Sequence, residues 1–519
     1  LSGDVAVADN VAIGVGAMAA TDNARANVAI GFDSLYSLDY GSLTYSHNIG
    51  IGFNAGKLIT TGTYNTILGG MAGDALTTGH SNVAVGYHAL GGEDAHGKNV
   101  AIGYQALKAQ NAGADAHNVA VGYDAGTNIT TGFENTIIGG LAGDALTTGL
   151  GNTAVGVKAL STDTTGRYNV AIGFGTLENQ AFTGNQEAYN TAVGYSAGND
   201  LTTGVQNTLI GGLSGDALTT GEYNVAVGYS ALSSEDTGDR NTAVGYNTLK
   251  NLNFDGNGYN TAVGYDAGRK ITTGVQNTII GSLAGDAITE GNYNVAVGYT
   301  ALSSQTTSSG NTALGWGSGT NITTGGDNTA VGMYALHTED EHGHNVAIGN
   351  NALKLQNAGA DAYNIAVGHD AGKNVTTGVR NTIIGTNAGD ALTTGTRNTA
   401  IGYLALSAED TGSYNTAIGN QALANQDAGD AFNVAVGHNC GINVTTGTVN
   451  TLVGAFAGDA LTEGNTNVAV GYAALSTETL GDRNVAIGHG SLQSQNNTSD
   501  TDVYNVAVGY NAGNTMTTG

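Results

Sequence analysis

Residues 207–228 read NTLIGGLSGDALTTGEYNVAVG and contain two copies of one pentapeptide, at 207–211 and 224–228. The pentapeptide has Asn first, nearly always Thr or Val second, a small or aliphatic residue third, Val, Ile or Leu fourth, and Gly fifth. It recurs 29 times between Asn10 and Asn505, mostly every 17 residues and sometimes after 18, 19 or 21. A fixed short period over a whole chain predicts a solenoid, in which one small unit stacks on the next.

The repeat overrides the expectation from length, because 519 residues would ordinarily form several globular domains. Proline is absent, which suits a continuous backbone ladder, and the 84 glycines follow no collagen triplet. We therefore predict one continuous β-solenoid domain over residues 1–519. A super-repeat of four coils starts near residues 48, 118, 190, 260, 364 and 433. The chain starts without Met and stops within a repeat, so we expect it to be an excerpt of a longer protein.

The net charge of the chain limits the classes of partner that it can bind. The formal net charge is -27 at pH 7. Such acidity disfavours nucleic acid and anionic membrane as partners and favours solubility. Aliphatic segments last only a few residues, so we predict no membrane insertion. Cys440 is the only cysteine, which excludes a disulfide within the chain.

Both faces of the predicted strand are apolar. With each coil numbered from its Asn, positions three and four are neighbours that point to opposite faces, as do Ile279 and Ile280. A 17-residue coil spans at most about 56 Å of contour, which leaves room for two short strands and two turns. We assign position four to the coil interior, with an Ala at position eight and a Leu or Ile further along. Position three would then face other copies of the chain. A charge at Ile279 should therefore split the assembly, whereas one at Glu235, predicted to be exposed, should not.

The Asn and the Gly of each pentapeptide have predicted structural roles. Gly ends the strand where a side chain would obstruct the bend. Asn suits unusual turn dihedrals and can hydrogen-bond to the Asn of the next coil. Tyr at position six, or just before the Asn, should stack on neighbouring turns. The predicted structural ladder includes Asn65, Asn82, Asn99, Asn207, Asn224 and Asn241, with Gly69, Gly86, Gly103, Gly211, Gly228 and Gly245.

The strand motif reads NVAIG at Asn10, Asn27, Asn99, Asn169, Asn345 and Asn484. In this form it resembles the head repeat of trimeric autotransporter adhesins, the YadA-like or Hep/Hag repeat, over nearly the whole chain. The resemblance implies a left-handed parallel β-roll that packs around a threefold axis on an extracellular surface. The form NTAVGYxAL also resembles repeats in the fibres of tailed bacteriophages. The period of 17 or more is longer than that of the usual head repeat, so the outer turn should be larger.

Two acidic features are candidate metal sites. The densest cluster consists of Glu339, Asp340, Glu341, His342 and His344. Such residues can bind a divalent metal, but the equivalent edges at Glu93 and Glu235 favour a variable acidic surface turn. Calcium could also be bound by the Asp that follows Gly in second-type coils, but an Asx turn is favoured because these residues recur four or more coils apart. They are Asp74, Asp144, Asp216, Asp286, Asp390 and Asp459. We predict neither a metal site nor a cofactor.

Other turn residues have functional alternatives. Thr pairs such as Thr202–Thr203 could suggest ice binding, but adjacent side chains in an extended segment point apart. Cys440 stands where most coils have Ala and is predicted to be inert. Four Asn-x-Thr sequons are candidate glycosylation sites in a eukaryotic secretory context and ordinary turn residues otherwise. Their asparagines are Asn128, Asn321, Asn374 and Asn443.

The sequence favours a structural function. No break in the repeat carries a catalytic constellation, so we predict that the chain is not an enzyme. A fibre-borne polysaccharide depolymerase would need a groove with paired carboxylates. The leading hypothesis is a homotrimeric rod that forms the shaft of an extracellular fibre, on a phage tail or a bacterial surface, for reach and attachment. The alternative is a solenoid surface that binds glycan or ice. A cell-surface glycan or receptor is a candidate partner.

Overall fold

The chain is an all-β protein in the computed structural model, which describes residues 9–499 and 501–518. The described residues form no helix and build a parallel β-solenoid of about 29 turns, which confirms the prediction of an all-β parallel solenoid. The chain divides into two compact units, Leu1–Tyr259 and Asn260–Gly519. One continuous domain over residues 1–519 stays a prediction.

The strands of the first unit are short and nearly all have three residues. They are β1 (Val11–Ile13), β2 (Asp22–Arg25), β3 (Val28–Ile30), β4 (Asp39–Tyr45), β5 (Ile49–Ile51), β6 (Thr66–Leu68), β7 (Val83–Val85), β8 (Val100–Ile102), β9 (Val119–Val121), β10 (Thr136–Ile138), β11 (Thr153–Val155), β12 (Val170–Ile172), β13 (Thr191–Val193), β14 (Thr208–Ile210), β15 (Val225–Val227) and β16 (Thr242–Val244).

The second unit repeats the same arrangement. Its strands are β17 (Thr261–Val263), β18 (Thr278–Ile280), β19 (Val295–Val297), β20 (Thr312–Leu314), β21 (Thr329–Val331), β22 (Val346–Ile348), β23 (Ile365–Val367), β24 (Thr382–Ile384), β25 (Thr399–Ile401), β26 (Thr416–Ile418), β27 (Val434–Val436), β28 (Thr451–Val453), β29 (Val468–Val470), β30 (Gly481–Asp482), β31 (Val485–Ile487), β32 (Thr501–Asp502) and β33 (Val506–Val508).

Each three-residue strand starts directly after the Asn of its coil, and within each unit the strands of successive coils pair in parallel. Leu209 of β14 lies opposite Ala226 of β15, and Ile279 of β18 lies opposite Ala296 of β19. The extra residues of the longer coils lie before the next Asn, where β2 pairs with β4 and β30 with β32. The strand register therefore survives the insertions.

Position three, and not position four, faces the coil interior. Leu209 and Ile279 at position three are 0% exposed, whereas Ile210 and Ile280 at position four are 39% and 38% exposed. The prediction that position four fills the interior is therefore wrong, as is the prediction that position three faces other copies. The reason is the Asn at position one, which is buried and, by strand alternation, lies on the same side as position three.

The remaining core residues lie where the sequence predicts them. The Ala at position eight and the Leu or Ile at position twelve are buried, as Ala55 and Ile59 show in one coil. Coils with Leu at position nine bury that residue as well, such as Leu232. The core of each unit is therefore a column of small and aliphatic side chains, with one layer from each coil.

The rest of the coil is a series of turns, so the prediction of two short strands per coil is wrong for nearly all coils. Positions seven and nine can adopt left-handed backbone angles, with φ of 49° at Ser230 and 55° at Leu232. Such angles bend the chain and interrupt an extended segment. The turns still bond to the next coil, because the Leu232 N–H donates to the Thr248 carbonyl at 3.0 Å.

Candidate functional site

The Asn side chains form a buried ladder along each unit. The Oδ1 atom of Asn207 accepts a hydrogen bond from the backbone N–H of Asn224 at 2.9 Å. The same bond joins successive Asn residues from Asn10 to Asn241 and from Asn260 to Asn484, at 2.8–3.2 Å. The structure therefore brings into one ladder the predicted residues Asn65, Asn82, Asn99, Asn207, Asn224 and Asn241.

Most of these side chains also close their own coils. The Nδ2 atom of Asn207 donates to the Gly221 carbonyl at 2.9 Å, and that of Asn65 donates to the Gly79 carbonyl at 2.9 Å. One side chain thus accepts a bond from the next coil and donates one across its own coil. An amide provides both the acceptor and the donor, whereas a carboxylate or an aliphatic group cannot. This dual role gives a physical reason for Asn at position one in most coils, although Nδ2 of Asn99 has no hydrogen-bond partner and that of Asn241 donates to the Asp239 carbonyl.

The Gly at position five permits the close stacking of coils. Gly228 has φ of 134°, and a Cβ atom there would overlap the backbone of Gly245 in the next coil. The φ angles of the six predicted glycines lie between 132° and 142°, a region that L side chains rarely adopt. These six are Gly69, Gly86, Gly103, Gly211, Gly228 and Gly245.

Positions two and four form an outward apolar surface, which we call the strand face. Position two carries Val, Thr or Ile and position four carries Val, Ile or Leu. The strand face is only partly covered within one chain, since Ile210 is 39% exposed and Ile348 and Ile384 are 38% and 37% exposed. Each unit therefore presents a row of partly exposed aliphatic side chains at position four, beside a mixed row of Val, Ile and Thr at position two.

Aromatic side chains form a second kind of row at position six. Tyr229 and Tyr246 stack with ring centroids 5.5 Å apart, and Tyr104 and Tyr123 stack at 5.3 Å. The rings face one another across successive coils, as the sequence predicts. Offset stacking of this kind contributes about 0.5–1.5 kcal/mol per pair beyond the area that it buries. The rows therefore stabilise the stacking of coils.

Position twelve carries a buried acid in several third-type coils. Asp163, Glu235 and Glu409 are 0% exposed, and burial raises the pKa of each carboxyl. The prediction that Glu235 is exposed is therefore wrong. Its Oε1 accepts from the Gly238 N–H at 2.8 Å and its Oε2 from the Phe254 N–H at 3.2 Å. The carboxylate replaces the Leu or Ile of other coils and satisfies two turn amides.

A Gln of the following coil often completes this polar layer. Gln180 donates to Asp163 Oδ2 at 2.8 Å, and Gln426 donates to Glu409 Oε2 at 3.0 Å. The Oε1 atom of Gln180 accepts from Asn190 Nδ2 at 3.0 Å. The buried acids are thereby connected to the Asn ladder, which gives these coils a polar layer in the core.

Two of the acid turns carry His three residues after the Glu. Glu93 and Glu339 have fully buried side chains, whereas those of His96 and His342 are 27% and 24% exposed. The Nδ1 to Oε1 distance is 3.5 Å in the first turn and 3.8 Å in the second. Burial raises the pKa of Glu339 to about 7. An acidic surface turn is therefore a wrong prediction for Glu339, although Glu341 is exposed.

The other predicted candidates lie apart from one another. Asn128, Asn321 and Asn443 are exposed and Asn374 is half-buried, so all four sequons lie at the surface. Asn128 and Asn443 each donate a side-chain hydrogen bond to a carbonyl of the next coil, at 2.8 Å. Whether they carry glycans stays a prediction.

The second-type Asp residues are half-buried, and burial raises the pKa of all six. The described part of the chain places three or more metal-ligating groups together at three turns, those of Glu93, Glu339 and Glu409, and none includes these Asp residues. The six are Asp74, Asp144, Asp216, Asp286, Asp390 and Asp459.

The Thr pairs and Cys440 are used inside the fold. The first Thr of a pair donates its hydroxyl to a carbonyl of the next coil, as Thr202 does to Thr219 at 2.9 Å. Cys440 is buried, its Sγ lies 3.2 Å from the Leu452 carbonyl, and burial raises the pKa of its thiol to about 12. Such a thiol is a poor nucleophile near neutral pH.

Two surface grooves lie in the first unit. One, of about 500 Å³, is lined by Phe182, Thr203 and Glu222 among others, and Glu222 is the one acid in its lining. The other, of about 300 Å³, is lined by residues that include Asp115 and Glu134. A helix with the length and apolar character to cross a membrane is not found among the described residues. Comparison of the chain with protein-family models and with curated proteins gives no match.

Proposed function

We propose that the chain is the shaft of an extracellular fibre, a non-enzymatic part that provides reach and surface attachment. The observation that carries this proposal is the repetition of one coil geometry, with the same Asn ladder, along both described units. A solenoid of this kind gains length with each coil at a nearly constant local structure. Tailed-phage fibres and bacterial surface adhesins, whose repeats this chain resembles, are the two settings that we propose.

The shaft is proposed to be a left-handed roll that assembles from identical chains. Support for self-association comes from the strand face, because large contiguous apolar patches are rare on soluble monomers. Two rows of Val, Ile, Leu and Thr would remain partly in water over many coils if no partner covered them. The position-three residues are already buried within one chain, so the outer face is the part that needs a partner.

The best partner for the strand face is another copy of the same chain. A partner must present apolar residues at the spacing of the coils, about 4.8 Å along the stack. A parallel copy of this repeat has that spacing over its whole length, and β-branched side chains of positions two and four can interdigitate between copies. Three copies around one axis is the arrangement that the resemblance to trimeric adhesins suggests.

Sedimentation of matched triple variants tests this proposal. Ile280, Ile348 and Ile384 are position-four residues of the strand face, and changing all three to Asp should convert the oligomer to monomer. The control changes three residues of similar exposure away from the strand face to Asp: Met333, Leu355 and Val449, which are 43%, 39% and 51% exposed. Leu355 lies in the same coil as Ile348. A monomeric parent chain, or equal dissociation of both variants, would contradict the proposal.

The glycan-binding alternative is separated by a second measurement. A surface that binds glycan would retain ligands in a glycan array regardless of its oligomeric state, and the I280D/I348D/I384D variant would bind as well as the parent. Ice binding is less favoured, because the first Thr hydroxyls are bonded to backbone carbonyls and would not be available to order water. Thermal hysteresis in a solution of the parent chain would instead favour ice binding over glycan binding.

A further inference from the structure

The turns at Glu93 and Glu339 share a geometry that the other buried-acid turns lack. In the turns at Glu235, Glu409 and Glu478, the residue three positions after the acid is Gly. Its N–H donates to Oε1, and a Cβ atom there would overlap the carboxylate. In the turns at Glu93 and Glu339 that residue is His: its backbone N–H also donates to Oε1, at 3.0 Å and 3.3 Å, and its imidazole lies beside the carboxylate as well.

The second carboxylate oxygen distinguishes these two turns further. Oε2 of Glu409 accepts a hydrogen bond from Gln426 at 3.0 Å, and Oε2 of Glu478 accepts one from Gln495 at 2.9 Å. In the two His turns the equivalent Gln does not supply this bond: Gln110 donates to the Thr130 carbonyl at 3.2 Å, and Nε2 of Gln356 makes no hydrogen bond. Oε2 of Glu93 and of Glu339 is buried without a hydrogen-bond partner.

The imidazole nitrogen beside each carboxylate is also unpartnered. Nδ1 of His96 and of His342 is buried and makes no hydrogen bond. It lies 3.5 Å from Glu93 Oε1 and 3.8 Å from Glu339 Oε1, which is too long for a hydrogen bond. Two ligands of a tetrahedral Zn²⁺ with bonds near 2.0–2.1 Å stand about 3.3 Å apart. The observed spacing is therefore close to that of two ligands on one ion.

A third ligand is available in each turn. Ligand atoms of Glu93, Asp94 and His96 lie within 4.8 Å of one another. The same holds for Glu339, Asp340 and His342. The His and the Asp reach the surface, so an ion could enter from solvent while the Glu holds it from the buried side.

We propose that each of these two turns is a Zn²⁺ site, with one Glu, one Asp and one His as protein ligands and water at the open position. Imidazole and carboxylate together suit Zn²⁺, whereas Ca²⁺ takes oxygen ligands only. The ion would provide the missing partner for the Nδ1 atom through the observed spacing to Oε1, and a bidentate carboxylate would also use the buried Oε2 atom. Each site lies within a single unit, and the proposal does not depend on the fibre function.

The test counts the ions that the full, tag-free chain retains. After equilibration with micromolar ZnCl₂ and removal of free metal, elemental analysis should find two Zn²⁺ per chain. H96A and H342A should each retain one, and the double variant none. H369A is the control, because His369 is an exposed His beside a carboxylate, with Nδ1 3.7 Å from Asp370 Oδ2. It should retain two. Circular dichroism checks that each variant is folded.

X-ray absorption at the zinc edge of the parent chain gives an independent result. It should show a first shell of nitrogen and oxygen with the outer-shell scattering of one imidazole per ion. An excess of CaCl₂ should not displace the Zn²⁺. A parent chain that retains no Zn²⁺, or a double variant that retains two ions, would overturn the proposal, as would a first shell without imidazole.

Discussion

Replacement of Asn207 by Ala tests the role of the Asn ladder. Asn207 is fully buried, its Oδ1 accepts from the Asn224 N–H, and its Nδ2 donates to the Gly221 carbonyl. Alanine would leave that N–H and that carbonyl buried without these partners. Each unsatisfied group costs about 1–3 kcal/mol, so the two together should destabilise the surrounding coils by about 2–6 kcal/mol.

Hydrogen exchange read by mass spectrometry is the appropriate assay, because the stability of a solenoid is the sum of local terms. A loss of 2 kcal/mol corresponds to a factor of about 30 in the opening equilibrium. Peptides from the coils that start at Asn190, Asn207 and Asn224 should therefore exchange at least about 30-fold faster in the variant, while distant coils should be unchanged.

The control applies the same chemical change to an exposed residue of the same unit. Asn251 is exposed, and Asn251→Ala should leave exchange within error of the parent. Equal exchange of the N207A and N251A variants would refute the reasoning. So would a uniform increase over the whole unit, since that would mean that the cost is not carried by the bonds of one coil.

Two further predictions concern the polar layer and the glycines. Burial raises the pKa of Glu235 above its ordinary value of 4.5, so the folded state binds this proton more tightly than the unfolded state. Its stabilising contribution is present below pH 4.5 and is lost as pH rises through the raised folded pKa. E235Q should therefore flatten the fall in melting temperature that follows as pH rises above 4.5, and an unchanged slope would contradict this. Gly228→Ala should destabilise by more than the about 1–3 kcal/mol of backbone strain alone, because its Cβ also overlaps the next coil. Gly140→Ala, where the added Cβ meets nothing within 4 Å, should be nearly neutral. Denaturant titration of the two variants and the parent measures both effects.

The solenoid was predictable from the sequence because one signal, the spacing of Asn and Gly, is strict and needs no knowledge of packing. The orientation of the strand was not predictable from hydrophobicity, because positions three and four are both apolar. Ala226 is inside and Val227 is only half-buried, although Val227 is the larger residue. The deciding cue was Asn224, because a buried Asn at position one fixes position three on the same side.

The buried acids were missed for a related reason. Glu235 and Glu339 belong to charged stretches, and charged residues are seldom fully buried unless they are paired. Alignment of the coils indicates the opposite, because position twelve is Leu218 in one coil and Glu235 in the next. A column of one residue type in a solenoid shares one environment, so an acid in an aliphatic column indicates a buried acid with its own partners. Its partners are backbone amides of the turns, which sequence does not reveal.

Because position three faces the coil interior, the folding of one chain does not depend on its assembly with other copies. If position three had faced other copies, its aliphatic residues would have stayed uncovered until the chains met. Instead Leu209, Ala226 and Ile279 are buried within one chain, and the hydrogen bonds between successive Asn residues form within each unit. A single chain therefore has a complete interior, and association would bury only the strand face. The I280D/I348D/I384D variant should accordingly be a folded monomer with the β-sheet circular dichroism of the parent, whereas I279D should lose structure in its own coil, because it would place an unpaired charge inside the core.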